Sequence, residues 1–529
     1  MSHAESTTAL PSEGHLALTI GKNTIFGILA TAVQVGTRFV MVPVVIYHLG
    51  LGGYGIWSIV MATAGYMRFG TAGVKSAFQK YAADAVGKRD FVTANKLLST
   101  GSLSMLVLSV AGLVPMAIWS HRLAKAGGVP PEFLTAAAGS ITLLAVIMVA
   151  SNFGAVFEAI VMGGQRIDLT RTFVMVTTAG EAASIIALLH FGYGLFAMAA
   201  TIAVSELVFV GCCFVASRRV VPEIRIRLRN VSRGVFRELV RYAGSYQLVN
   251  VLEVLYGLLL PVIIVKHFGA EMAGAYALVL RLMAAALMAQ DALLPPLLSA
   301  GTLVFASGSA ERIRRFFIKS FKTTMAVSLL PLAFLAAFGT LLVFAWTGET
   351  GPEFQEAIWL VCLSGLFQAI SRLQLILYRA SGKTLHDNVR QAFRLGVLGV
   401  LGYFGSTLGF YGVLGCLAAA EGIGVVYMFV AMSQELPDFS PRMLIPDNLR
   451  VTAATALVIA AGLLVAPLLI PWGHQGRAIA LLKLGVVSLA CLAAALPAVG
   501  LTGSLSPEEQ RTALDVLAPW RKHVPATNA

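Results

Sequence analysis

Charge is scarce in this chain. Only 12% of its 529 residues are Asp, Glu, Lys or Arg against 57% hydrophobic, and the mean hydropathy is +0.80. So little charge excludes a soluble globular protein and fits a polytopic membrane protein. Cysteine is scarce too. Cys212, Cys213, Cys362, Cys416 and Cys491 all lie inside apolar runs without zinc-like spacing, which argues against a disulfide framework or a metal centre. Enzyme signatures are missing: there is no H-E-x-x-H, C-x-x-C or G-x-S-x-G, and Gly382-Lys383-Thr384 is preceded by Leu377 where a phosphate-binding loop needs glycine. Long outward loops, where membrane-bound transferases and ligases carry their chemistry, are also missing; the longest runs roughly from His121 to Glu132. No cofactor and no metal are expected. The first 22 residues hold one Lys or Arg, Lys22, so they lack the basic start of a secretory signal, and the first apolar run is retained as a span.

What the chain does hold is a series of fourteen apolar runs between residues 23 and 502. With the N-terminus inside, most of the 39 Lys and Arg fall in cytoplasmic segments, as the positive-inside rule requires of a multi-pass protein with both termini cytoplasmic. The net charge of +13 is thus a topology signal, and no nucleic-acid partner is expected. The densest basic segment, Ser217 to Arg241, divides the chain. Residues 1–22 read as a cytoplasmic tail, 23–216 as a first six-helix bundle, 217–241 as a cytoplasmic linker, 242–433 as a second six-helix bundle, 451–502 as transmembrane helices 13 and 14, and 503–529 as a cytoplasmic tail with a short interfacial helix.

The second half restates the first. In span one, Thr24, Gly27, Thr31, Gln34 and Arg38 recur at steps of three and four and share one helix face, followed by Pro43-Val44-Val45-Ile46. In span seven, Tyr246, Asn250, Glu253 and Gly257 do the same ahead of Pro261-Val262-Ile263-Ile264. Span eight carries Tyr276 and Arg281 much as span two carries Tyr54 and Arg68. Internal repeats of this kind mark alternating-access transporters, and six spans per repeat give both halves one orientation, with a pseudo-twofold axis along the membrane normal. The fold expected is an all-α polytopic membrane protein of about 14 transmembrane helices: two six-helix bundles and two C-terminal helices.

Charges inside spans are the informative set. A charge at bilayer depth costs about 2.5–3.5 kcal/mol on insertion scales, so Arg38, Arg68 and Arg281 are expected to face water and an anionic solute, with pairing to a carboxylate such as Glu253 as the alternative. Glu253 reads as an ion-responsive or substrate-contacting group, because burial and nearby arginines pull a carboxyl in opposite directions. Trp57 and Tyr54 could stack on sugar rings or anchor the outer end of span two. Glu158, Asp291 and Lys483 lie near span ends, where they can snorkel to the headgroups.

Leu49-Gly50 followed by Tyr54-Gly55-x-Trp57, the loop from Tyr81-Ala82 to Asp90, Gly164-Gln165-Arg166-Ile167-Asp168 and Gly192-Tyr193-Gly194-Leu195 together resemble the polysaccharide-unit flippases, the O-antigen and exopolysaccharide translocases of the multidrug/oligosaccharidyl-lipid/polysaccharide exporter superfamily. The likeness runs along nearly the whole chain. It implies a V-shaped pair of bundles in the bacterial inner membrane that moves undecaprenyl-diphosphate-linked saccharide from the cytoplasmic to the periplasmic leaflet for O-antigen, capsule or exopolysaccharide. The implied partners are the lipid-linked oligosaccharide, membrane lipids, and polysaccharide polymerase and chain-length proteins. The implied cavity positions are Arg38, Arg68, Arg281, Gln34, Trp57 and Asn250, with Glu253 for ion coupling. A lipid II or other lipid-precursor flippase and a drug/cation antiporter of the same superfamily are the alternatives; span one has an arginine where such antiporters typically carry a carboxylate.

Overall fold

The computed structural model describes residues 13–306 apart from most of 70–87, and residues 309–504 apart from 381–384, 436–439 and 473–475. Among the described residues every regular element is helical, as lipid demands: hydrocarbon offers a backbone no hydrogen-bond partners, so each span must bond within itself. Twelve α-helices are described. They are α1 (Glu13–Phe69), α2 (Phe91–Ala126), α3 (Pro131–Gly163), α4 (Ile167–His190), α5 (Leu195–Val220), α6 (Arg233–Ala306), α7 (Ala310–Thr347), α8 (Glu353–Ala380), α9 (Leu385–Gly405), α10 (Gly409–Glu435), α11 (Ile445–Val465) and α12 (Arg477–Thr502). Eleven helical stretches are long and apolar enough to cross a membrane. Two of them, in α1 and α6, break at a glycine into two limbs each; adding those two breaks and α9 gives the fourteen expected from the sequence.

The two breaks are one feature repeated. Gly50 interrupts α1 at φ 71°, ψ 170°, and Gly269 interrupts α6 at φ 88°, ψ 175°. These left-handed backbone angles favour a residue without a Cβ, and each glycine follows a matching stretch, His48-Leu49 in one case and His267-Phe268 in the other.

The chain clusters into two compact units, Met1–Gly274 and Ala275–Ala529, so that α6 contributes to each and the basic segment 217–241 lies within the first. In the first unit α3 is the central helix and packs on α1, α2 and α5. Its apolar residues Ile141, Leu144 and Met148 meet Ile56 and Val60 of α1 in one core, while Val156, Phe157 and Ile160 meet Leu98 and Met105 of α2 in another. Residues 221–232 run along the start of α2 as irregular chain with one 3₁₀ turn, Leu228–Asn230. Asn95 donates to the Glu223 carbonyl at 3.2 Å and accepts from the Arg225 amide at 2.6 Å, Ser99 accepts from Arg227 at 3.1 Å, and Thr100 accepts from Ser232 at 2.9 Å. Val221 and Ile224 point into the core and Arg225, Arg227 and Arg229 point out. The basic segment is therefore a fixed row of arginines. Asp90 starts α2 by accepting from the Thr93 amide at 3.1 Å, and the Thr93 hydrogen bonds hold its carboxyl below the usual range.

The start of the second limb of α1 meets residues 270–274 of α6 at backbone distance. A Cβ on Gly274 would sit 2.1 Å from the Leu51 carbonyl oxygen, and one on Gly55 would sit 2.4 Å from the Ala270 oxygen. Small residues of this kind let membrane helices approach where no hydrophobic force drives them together.

In the second unit α7 packs on α8, α11 and α12, and α10 packs on α8 and α9. Sequence reading places span eleven at 395–410, but α9 starts ten residues earlier, at Leu385. The reason is charge compensation. Asp387, Arg390 and Arg394 look like a polar loop in isolation, yet all are buried and answered: Arg394 donates to Glu421 of α10 and, at 2.8 Å, to Gln391, and Arg379 donates to Asp387 at 2.6 Å. Of the surface-lying segment expected from Lys75 to Lys96, residues 91–96 instead form the first turns of α2 and most of 75–87 lies outside the described residues, as does the interfacial helix expected after residue 505.

Two tests follow from this packing. Gly274→Leu should destabilise the protein by about 1–3 kcal/mol or more, seen as an earlier loss of the monodisperse peak on heating in detergent. Gly180→Ala, at a helical site with open space, should be neutral or slightly stabilising. Equal melting of the two variants would refute the backbone crossing. Arg394→Ala should cost roughly 3–5 kcal/mol by stranding Glu421 in the core, while Arg394→Met combined with Glu421→Gln should recover much of that loss. If the double variant melts no higher than the single one, the pair does not account for the stability of α9 on α10.

Candidate functional site

In the first unit, the polar stripe of α1 is partly exposed. Thr31 and Arg38 are exposed and Gln34 is half-buried. The threonines bond back to their own helix, Thr31 to the Gly27 carbonyl at 2.9 Å and Thr37 to the Gln34 carbonyl at 3.2 Å, so they lower the polarity of the backbone without leaving the helix. Trp57 is half-buried against the core that contains Ile56 and Val60, and Tyr54 is buried. Glu253 is exposed on the first limb of α6. Arg68 and Asn250 lie in α1 and α6, and their side chains are outside the described residues.

In the second unit, Arg281 heads an exposed face of α6 made of Ala284, Ala285, Met288 and Ala292. The opposite face, Leu282, Met283, Leu287 and Gln290, is buried. It is held to α8 by a 2.7 Å hydrogen bond from the Gln290 amide to the Ala369 carbonyl and by close approach of Met283 to Gly365. These contacts fix how α6 is turned about its axis, and so fix the face on which Arg281 stands. Nearly three turns beyond Arg281, Asp291 accepts from Arg372 of α8. Sequence reasoning lets Asp291 snorkel to the headgroups; the structure instead pairs it across helices.

A second polar group lies inside the second unit; sequence reasoning marks Glu421 as an intramembrane charge but misses its partners on α9. It includes the Arg394–Glu421 pair and, further along the same two helices, His386, which contacts the Tyr427 hydroxyl at 3.1 Å and whose ring lies 4.7 Å from that of Tyr378 of α8. The signal was present: Asp387, Arg390, Gln391 and Arg394 follow at helical steps of three, one and three, which puts them on one face. In the first unit, Glu206 is likewise answered, by the Ser151 hydroxyl at 2.9 Å. Among the described residues no three His, Cys, Asp or Glu side chains come together in a way that could hold a metal ion.

The chain matches no family model, and no curated sequence is significantly similar to it. Its fold has relatives. The inward-facing structure of a multidrug resistance MATE family transporter of the MOP superfamily superposes with a TM-score of 0.58 at 16% identity, covering 78% of this chain and 95% of that one. A MOP superfamily transporter from Pyrococcus furiosus gives 0.57 at 16% identity, over 79% and 95%. The lipid II flippase MurJ in its inward closed conformation gives 0.63 at 13% identity, over 88% and 98%. The chain therefore has the polytopic helical fold of the MATE and MurJ transporters.

Proposed function

We propose that this chain is a flippase that moves undecaprenyl-diphosphate-linked saccharide units from the cytoplasmic to the periplasmic leaflet of a bacterial inner membrane, for surface polysaccharide synthesis. The observation that carries the reading is Arg281, exposed on a face of three alanines and Met288 within a helical stretch long and apolar enough to span. A face turned to lipid is normally built from bulky aliphatic and aromatic side chains, whereas a small-residue face headed by a guanidinium suits a wet path.

The chemistry of the substrate supplies the rest. A lipid-linked diphosphate must carry its negative charge out of one headgroup layer and into the other, and bare hydrocarbon makes that prohibitive. Guanidinium groups keep their charge at any physiological pH and grip phosphate oxygens bidentately. In this reading Arg38, Arg68 and Arg281 hold the diphosphate, Gln34, Trp57 and Asn250 contact sugar, and Glu253 answers the arginines when substrate has left. The two six-helix halves rock about the anion, both termini stay in the cytoplasm, and a polymerase and chain-length proteins receive the product. The reading excludes catalysis by the chain itself. A lipid II or other lipid-precursor substrate is the second reading, favoured by the likeness to MurJ over 88% of the chain.

Arg38→Ala and Arg281→Ala should each lower surface polysaccharide about tenfold or more, the worth of one charge-assisted hydrogen bond of roughly 1.5–3 kcal/mol, at unchanged levels of inserted protein. Lysine at either position should restore part of the export. Normal polysaccharide on gels from cells carrying the alanine variants would refute the assignment. For topology, a reporter active only in the periplasm and fused after Ala529 should stay silent; a strong signal would place the C-terminus outside.

A further inference from the structure

In the first unit, the chain between α5 and α6 combines a fixed backbone with cations that have no partner. Arg225, Arg227, Arg229, Arg233 and Arg237 are exposed, and the stretch from 225 to 237 contains no acidic residue and no lysine. Among the described residues no carboxylate pairs with Arg225, Arg227 or Arg229. The backbone that carries them is bonded to Asn95, Ser99 and Thr100 of α2, and Val221 and Ile224 are buried beside Leu98 and Val156. A topology signal needs only a count of Lys and Arg near a span, and nothing in it calls for a frame bonded at several residues. A fixed frame does lower the ordering cost of binding a partner.

The frame stands where spans meet polar surroundings. It is bonded to α2 on either side of Lys96, and from Leu97 to Ser120 that helix carries no charged residue. The preceding helix, α5, is likewise free of charge from Leu207 to Ser217 and ends on Arg218 and Arg219. Apolar side chains stand exposed among the arginines: Leu228, with 78% of its surface open, Val231 and Phe236. In water such groups gain nothing by projecting. At the boundary between headgroups and acyl chains they find apolar contact, while guanidinium groups beside them reach phosphate oxygens.

We infer that residues 225–237 are a docking surface for the anionic phospholipids of the membrane face on which they lie, with Leu228 and Phe236 seated between headgroups and the arginines on phosphate. Arginine in place of lysine suits this partner, because a planar guanidinium binds two phosphate oxygens at once. A soluble acidic protein fits less well, since at headgroup level it would have to displace lipid from Leu228 before meeting the cations. Docking of this kind fastens the connection between α5 and the first limb of α6 to one leaflet, whatever substrate the protein carries.

The test uses the full chain in vesicles of phosphatidylcholine with phosphatidylglycerol as the minority lipid. Leu228→Cys carries a fluorophore, and the parent chain labelled alongside subtracts the five native cysteines. Bromine placed on one lipid at a time quenches the probe according to that lipid's share around it. Quenching by brominated phosphatidylglycerol should exceed its share of the bilayer about twofold or more, since each arginine near an anionic surface adds attraction. Salt at about 1 M, where the screening length is about 3 Å, should shrink the excess. Arg225→Gln, Arg227→Gln and Arg229→Gln together should remove it while the protein keeps its monodisperse peak, and lysine at the same positions should keep part of it. Arg312→Gln, exposed at the start of α7, should change nothing. Quenching at the bulk share in the labelled Leu228→Cys chain with its arginines intact, or an undiminished excess in the glutamine variant, overturns the proposal. So does a probe that neither brominated lipid quenches, which would put Leu228 in water and leave the arginines to an acidic soluble partner.

Discussion

A charge that leaves the headgroup layer must be met by an opposite charge, by a hydrogen-bond donor or by water, and this constraint orders the second unit. The helices α8, α9 and α10 carry the means of meeting it. Arg394 and Glu421 lie on neighbouring helices at one level, Asp387 bonds Arg379 at the end of α8, and Asp291 of α6 accepts from Arg372 of α8. Each pair fixes a register as well as a charge, because a slip of one turn would strand both partners. Apolar packing alone is a weaker guide here, since in a bilayer one Leu face is much like another.

Glycine supplies the complementary constraint in the first unit. Gly55 and Gly274 let two backbones touch, and Gly50 and Gly269 let two long helical stretches change direction without a loop. Because these glycines sit just after the breaks, in both repeats, changing direction and close crossing are built from one short sequence pattern used twice. A bend of this kind needs no polar linker, which would have to find partners for its backbone near the membrane.

The helical, many-span nature of the chain was legible from composition, since long apolar runs punctuated by basic segments have few other readings. So was the repeat, whose two stripes and two Pro-led aliphatic runs recur in order. The start of α9 was not, because hydropathy judges each residue alone, while Asp387, Arg390 and Arg394 become compatible with a buried helix only when Arg379 and Glu421 are brought beside them by α8 and α10. The pairing of Asp291 was hidden for the same reason: its partner Arg372 is 81 residues away. Arg38 and Arg281 were legible as unusual and are exposed in the structure. Periodicity marked the stripe on α1 but not the company it keeps, and Trp57 is half-buried against the core of its unit.

Two populations of intramembrane charge therefore coexist in the chain, and their surroundings separate them. Arg394 and Glu421 are almost fully buried and joined across helices, and Arg394 also donates to the Gln391 amide oxygen. Such an arrangement costs too much to open in each transport cycle, so it suits a fixed part of the scaffold. Arg281 is exposed, beside Ala284, Ala285 and Met288, and the buried side of the same helix is clamped by Gln290 and Met283. A cation held on a rigid helix but left open to its surroundings can engage an anion without first breaking a core contact.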